Sequence, residues 1–521
     1  MWVGAEWGQK VFGWKAGKPV AEANGGRVQS THSSASKPQK NEHDGKPVNC
    51  GTKAANHRWS QGVQGSRTAM KTPRQKAAPS VSAEPNKQGA EVCVRWAWTE
   101  AAVWTRPMLV ALERGIEGGR WYSLNDKVGS AANLEAAWQK VKRNKGAAGP
   151  DRQSVEQYER RAKAEQEAAQ KGIREGSWKP QPARRVMIPK AGSKEKRPLG
   201  IPNVKDRVVQ AALKQVLEPI FERDFSDNSY GFRPGRGAKE AIERVEENLL
   251  WGSQWIVDID IKGYFDNIPH ELLMDCVKQK IADSKVLGLI EKFLKVGIMS
   301  EMKEREPSEA GTPQGGVLSP LLANIYLDEL DHLMSAKKVA MTRYADDFVI
   351  QCETQEQAQT ALESVREWTS KRGLTLHPEK TRIVNAGAGE AFEFLGYRFV
   401  KWRKWPRRKS EAKVRAGIRE ATPRLNGKSM KEIITKVNRV ISGWYEYFSG
   451  ASSPNPMEKV DGYVRKRLRG ILRKRSKRKG SSYGGEDHKR WRNDWFMKAG
   501  LYCLSAAWKK QHDEPPAGVN Y

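Results

Sequence analysis

Cysteine is scarce. The chain of 521 residues has five (Cys50, Cys93, Cys276, Cys352, Cys503), no two closer than 43 positions. That spacing argues against a disulfide-stapled scaffold and a Cys-x-x-Cys zinc site. Long apolar runs are also missing. The 18-residue uncharged stretch from Ala310 to Leu327 contains Gly, Pro, Gln, Ser and Asn, whereas a membrane span needs about 20 mostly apolar residues. The opening Met-Trp-Val-Gly-Ala-Glu-Trp has no apolar signal-peptide core. Residues 1–90 hold neither Leu nor Ile, the first Leu being Leu109. Such a segment cannot bury enough apolar surface to offset chain entropy, and it reads as a disordered basic extension. The expectation is a cytoplasmic protein with no membrane contact.

Positive charge is abundant, with 92 Lys+Arg against 61 Asp+Glu and a net charge of +31. It is unevenly spread. Residues 1–90 carry 14 basic and 5 acidic side chains, and residues 401–480 carry 25 and 6, while 91–400 is almost neutral. A basic module behind a neutral body fits nucleic-acid phosphate, whose neutralisation releases condensed counterions. A solvated basic face without a ligand is the bland alternative.

Order is expected from about Trp96. The run from Asn133 to Lys142 reads as a helix, broken at Gly146-Ala-Ala-Gly-Pro-Asp151. Arg184–Lys190 reads as a strand, followed by a turn at Lys194–Pro198. Apolar residues from Val208 to Phe221 recur at helical spacing, which predicts a helix over 206–222. The alternation and β-branching of Gln254-Trp-Ile-Val-Asp-Ile-Asp260 favour a strand. Arg343–Ile350 reads as strand, tight turn, strand, and 354–372 as an amphipathic helix. Helices separated by Pro423, Gly427 and the Ser452-Ser-Pro-Asn-Pro456 loop dominate 411–475. The pattern is an α+β body with an all-helical basic appendage.

Two acidic places carry the chemistry. Asp260 ends an otherwise apolar strand, where a carboxylate is costly unless paired or metal-bound. Asp346 and Asp347 sit at the tip of a hairpin and repel each other, which a divalent cation would relieve. Carboxylates from two neighbouring strands can hold two Mg²⁺ ions about 4 Å apart. An Asp-Asp pair alone is also what an ordinary solvated turn looks like.

Three ordered segments decide between these readings. Asp258-Ile-Asp-Ile-Lys-Gly-Tyr-Phe-Asp-Asn-Ile268, Gly311-Thr-Pro-Gln-Gly-Gly-Val-Leu-Ser-Pro320 and Tyr344-Ala-Asp-Asp347 resemble, in this order, the motifs of reverse transcriptases. With Arg184–Pro202, Arg372–Lys380 and Phe394-Leu-Gly-Tyr397, the series is similar to bacterial group II intron reverse transcriptase–maturases. The resemblance runs from about Trp121 to about Leu504. It implies a right-hand polymerase: fingers and palm over 96–400, a helical thumb or maturase domain over 401–480, an extension over 1–95, and a short tail over 481–521 without an endonuclease.

The resemblance makes Asp260, Asp346 and Asp347 the catalytic, Mg²⁺-binding carboxylates. Phe265 becomes a steric gate that crowds a 2′-hydroxyl. Lys190 and Arg197 would grip the incoming triphosphate, with Gln314 and Tyr344 beside the nucleotide. Lys380 is a general acid on the leaving group, a phosphate contact or a solvated lysine. Along the helix from Val464, the cations Arg465, Lys466, Arg467, Arg469, Arg473, Lys474 and Arg475 are expected to meet RNA. Arg152 follows Gly149-Pro-Asp151 where relatives commonly have Gly. The implied activity is RNA-directed DNA synthesis from dNTPs with two Mg²⁺ ions, coupled to intron splicing and mobility. Implied partners are intron RNA, an RNA template, a DNA primer and target DNA, with homodimerisation left open. The rivals are a non-catalytic splicing chaperone and a domesticated defence-type reverse transcriptase.

Overall fold

β-Branched and aromatic residues alternate along Trp255–Asp260, and only a sheet can use that alternation. The computed structural model describes residues 92, 94–116, 118–189, 196–299, 305–306, 310–424, 427–476 and 485–513, all within one unit. The expected N-terminal extension therefore lies outside the described residues, apart from its last few positions. Strands run β1 (Ala183–Pro189), β2 (Lys196–Ile201), β3 (Trp255–Asp260), β4 (Ile298–Met299), β5 (Arg305–Glu306), β6 (Ala340–Tyr344), β7 (Asp347–Cys352), β8 (Arg382–Asn385), β9 (Ala391–Phe394), β10 (Tyr397–Val400) and β11 (Arg403–Pro406). They form three sheets, ordered β2-β1-β4-β5, β6-β7-β3-β8 and β11-β10-β9.

The second of these sheets positions the site. Its strands are antiparallel, with β3 between β7 and β8. Val257 and Ile259 point to one face, into a core shared with the Ala131–Asn144, Val204–Glu222 and Ser319–Ala336 helices. Ile256 and Val349 point to the other face, into a second core shared with the Ala238–Leu250 helix, the β9–β11 sheet and the C-terminal helices. Side chains alternate along a strand, so Asp258 and Asp260 share the face of Ile256. One face of the sheet is thus apolar at one end and acidic at the other.

The Val204–Glu222 helix is nearly enveloped. It buries Asp206, Arg207 and Lys214 besides its apolar stripe. Its first turn and its N-cap residue hold the 146–151 loop, with Arg207 Nη2 donating to Ala147 O (2.6 Å) and Asp151 N donating to Asn203 Oδ1 (3.3 Å). Arg152 has φ +57°, the left-handed region where glycine is at ease. That conformation is the one the resemblance to Gly-bearing loops would lead one to expect at this position.

The helical part comprises Arg408–Ala421, Met430–Phe448, Asn455–Arg475 and Leu504–Asp513, with two short helices before the last. Ser429 and Glu432 form a reciprocal capping box at the start of the second, which stabilises it by about 1 kcal/mol. Val460, Val464, Leu468 and Ile471 form the buried stripe of the third. The buried Asp461 on that helix accepts from Leu504 N (3.0 Å), Ser505 N (3.0 Å) and Ser505 Oγ (2.8 Å), tying the last helix down. Among the described residues no helix is long and apolar enough to cross a membrane.

Candidate active site

The acidic end of the β6-β7-β3-β8 sheet is assembled by register. Asp260 lies directly opposite Asp347 across the β3–β7 ladder, and Tyr344 lies opposite Asp347 across β6–β7. Ala345 and Asp346 therefore form a two-residue turn, with Ala345 in the left-handed region at φ +57°. A non-glycine residue there costs about 1–2 kcal/mol, so its surroundings must impose it. The two stretches expected to supply carboxylates do converge.

Their charge is incompletely balanced. Lys380 Nζ donates to Asp260 Oδ2 at 2.8 Å, and the Asp260 carbonyl accepts from His377 N at 2.7 Å. Arg382 reaches Asp258 only at 3.4 Å. Burial pushes Asp258 up to about 6, with Arg382 opposing and Asp260 adding to the rise. Burial also raises Asp346, helped by the neighbouring Asp260. Asp347 is pushed well above the usual carboxylate range, first by burial, then by Asp346 and Asp258. These groups crowd one another.

The loop after β3 carries the next residues. Gly263, at φ +56°, opens the short Tyr264–Asn267 helix. Tyr264 is buried, and its hydroxyl donates to Ala323 O at 2.6 Å. Phe265 is half-buried, with its ring edge-on to Tyr264 at 5.4 Å. Gln314 Nε2 donates to both Asp266 oxygens at 3.1 and 3.0 Å, and the Gln314 main-chain carbonyl accepts from Gly200 N of β2 at 2.7 Å. Thr312 N donates to Phe265 O at 2.7 Å. A Cβ on Gly311 would lie 2.7 Å from Asp266 O, so only glycine lets these two loops meet.

The predicted residues fare unequally. Phe265 and Gln314 flank the loop after Asp260. Tyr344 is buried in the second core, its ring 6.2 Å from that of Phe232. Lys190 lies outside the described residues, and Arg197 is placed only by its position in β2, opposite Ile188. Sequence reasoning missed the Asp266 partner of Gln314 and the buried Arg343, Asp331 and Asn324 behind the turn. An arginine inside an apolar strand was the available signal.

The basic helix needs a correction. Arg469 is buried rather than presented at the surface. Its Nε donates to Trp491 O (3.0 Å), its Nη2 to Asn493 Oδ1 (2.8 Å), and its guanidinium lies 5.3 Å over Phe496. Arg473 Nη1 donates to the buried Asp487 at 2.7 Å, and Arg467 Nε to Thr422 Oγ1 at 3.0 Å. Arg475 gives an N–H to Lys428 O. Arg465 and Lys466 are half-buried, and Lys474 and Arg475 are exposed.

The donor set bears on an implied metal. Asp260, Asp346 and Asp347 offer only carboxylate oxygen, the ligand type that hard cations such as Mg²⁺ prefer. Among the described residues no three His, Cys, Asp or Glu side chains are already gathered as a ligand group. The chemistry of the donors and their mutual crowding fit such an ion.

Residues 188–399 match the family "Reverse transcriptase (RNA-dependent DNA polymerase)", and residues 411–491 match "Group II intron, maturase-specific domain". Protein YkfC of Escherichia coli is 37% identical over 309 residues, covering 51% of this chain and 78% of YkfC. The chain belongs to the group II intron reverse transcriptase–maturase family. It is an RNA-directed DNA polymerase with a helical maturase region. Group II intron-encoded protein LtrA of Lactococcus lactis is 45% identical over 171 residues, 33% of this reverse transcriptase and 28% of LtrA. A solved telomerase from Candida albicans aligns over 70% of this chain and 69% of its own length at 9% identity and a TM-score of 0.39.

Proposed function

We propose that this reverse transcriptase copies RNA into DNA with Asp260, Asp346 and Asp347 holding two Mg²⁺ ions. The face-to-face register of Asp260 and Asp347, with Asp346 beside them, carries the reading. When bound, such ions activate the primer 3′-hydroxyl and neutralise the leaving pyrophosphate. Phe265 stands after the strand of Asp260 as a gate against ribonucleotides, and Gln314, fixed by Asp266, lines the nucleotide's path. Lys190, Arg197 and Tyr344 complete the nucleotide site, and Lys380 offsets the charge of Asp260.

The division into fingers and palm to residue 400 and thumb from 401 belongs to this proposal. So does binding of group II intron RNA through Arg465, Lys466, Lys474 and Arg475, to assist splicing and mobility at a DNA target. The splicing-chaperone alternative would leave no use for an acidic cluster that is only partly balanced, whose burial is costly. Primer extension on a homopolymer RNA template separates the two. Wild type should incorporate dNTPs, and Asp346→Ala should reduce the rate by at least about a thousandfold. Equal background from both proteins would leave only the chaperone.

A further inference from the structure

Behind the turn that carries Asp346 and Asp347 lies an ion pair with no access to solvent. Arg343 of β6 and Asp331 of the Ser319–Ala336 helix are both 0% exposed. Arg343 Nε donates to the two Asp331 oxygens at 2.8 and 3.0 Å, and Nη2 donates to the same carboxylate. Replacing such a pair with apolar side chains is often neutral for stability, so stability alone does not account for it. The remaining contacts of the guanidinium are more informative. Nη1 donates to Ala345 O at 3.0 Å and to Asn324 Oδ1 at 2.9 Å. Asn324, itself buried, donates to Gly231 O at 2.8 Å.

Gly231 closes the arrangement from the other side. A Cβ there would lie 2.3 Å from Ala345 N and 2.9 Å from Tyr344 C. The segment before it runs along β6, with Arg343 N donating to Asn228 O and Tyr230 N to Arg343 O, both at 2.8 Å. The peptide between Ala345 and Asp346 is thus gripped at its carbonyl by a guanidinium that is itself fixed by two side chains of one helix. The same helix accepts the Tyr264 hydroxyl at Ala323 O, next to Phe265. One rigid element therefore supports both the carboxylate turn and the proposed gate.

We infer that Arg343, oriented by Asp331 and Asn324, is a positioning residue that holds the strained Ala345–Asp346 peptide in place for catalysis. Arg343 touches no reacting atom; it fixes the backbone from which Asp346 and Asp347 project, so that their carboxylates need not reorganise when substrate arrives. The inference rests on the polymerase reading above.

Two variants test it. Arg343→Lys keeps a cation for Asp331 but cannot also reach the Ala345 carbonyl. Asp331→Leu combined with Arg343→Met removes both charges together, so that no lone charge is buried. In steady-state primer extension both should lose about a hundredfold in kcat, with KM for dNTP within about twofold of wild type. Circular dichroism should show a folded protein with a cooperative thermal transition. If the double variant does not fold, Arg343→Lys decides alone. A kcat within about twofold of wild type in a folded variant overturns the inference, as does a loss of kcat that tracks the folded fraction. A wild type that extends no primer overturns the polymerase reading, and this inference with it.

Discussion

Charge is handled in opposite ways at the acidic end of the central sheet and in the C-terminal helices. Asp258, Asp260, Asp346 and Asp347 crowd two strands, and the contacts that answer them are Lys380 at 2.8 Å and Arg382 at 3.4 Å. Burial first, and neighbouring carboxylates after it, raise the proton affinities of Asp258, Asp346 and Asp347. In the Asn455–Arg475 helix, Arg467, Arg469 and Arg473 each give N–H groups to oxygens of neighbouring segments. There the cations are part of the architecture. Charge left unsatisfied by the fold is available to a ligand, whereas charge already spent on carbonyls and buried carboxylates is not.

Removing a spent charge should injure the fold. Arg469→Ala leaves Trp491 O, Asn493 and the face of Phe496 without their partner. It should lower unfolding free energy by about 2–4 kcal/mol, measured by denaturant titration, without changing RNA affinity per folded molecule. Wild-type stability in this variant would put Arg469 on the surface side of the comparison.

Asp206 tests buried, underbalanced charge away from the site. It is buried in the Val204–Glu222 helix, accepts from Gln181 N at 3.1 Å, and is pushed up to about 6 by burial. The folded state therefore keeps the proton to higher pH than the unfolded chain, whose carboxylate titrates near 3.9. Its stabilising contribution is full below about pH 4 and is lost as pH rises through about 6, by at most about 3 kcal/mol. Relative to Asp206→Asn, wild type should lose stability over that window. Parallel pH profiles for the two proteins would contradict the shift.

Phe265→Ala should relax the preference for deoxy- over ribonucleotides by about tenfold to a hundredfold in kcat/KM, since a lost clash is worth a few kcal/mol. Unchanged selectivity would move the gate elsewhere. Lys474→Ala, at an exposed cation, has the smallest expected effect. RNA affinity should fall modestly, and the slope of log affinity against log salt should shrink by about 0.7–1. No change in the slope would remove Lys474 from the RNA surface.

Much of the fold could be read from local pattern. The strand ending in Asp260, the helix over Val204–Glu222, the Arg343–Ile350 hairpin and the helix over Gln355–Lys371 fall within a few residues of the expected bounds, because alternation and helical spacing are properties of short segments. The convergence of Asp260 on Asp347 was legible from ordered motifs. The brace on the turn was not: Asn324 meets Gly231 across 93 residues of sequence, and no local pattern encodes that pairing. Nor could charge density in the basic helix distinguish Arg469, turned inward beneath Trp491, from Lys474, one turn further on and exposed. Both read as cations on a helix, and which way each points depends on segments that follow later in the chain.

Calorimetric titration of Mn²⁺ into the protein, with Asp346→Asn as its partner, reads the unsatisfied acidic charge most directly. Saturable binding by wild type that weakens by an order of magnitude or more in the variant is the predicted result. Indistinguishable heats from the two proteins would mean that these carboxylates do not gather divalent cations, and the catalytic assignment would fall.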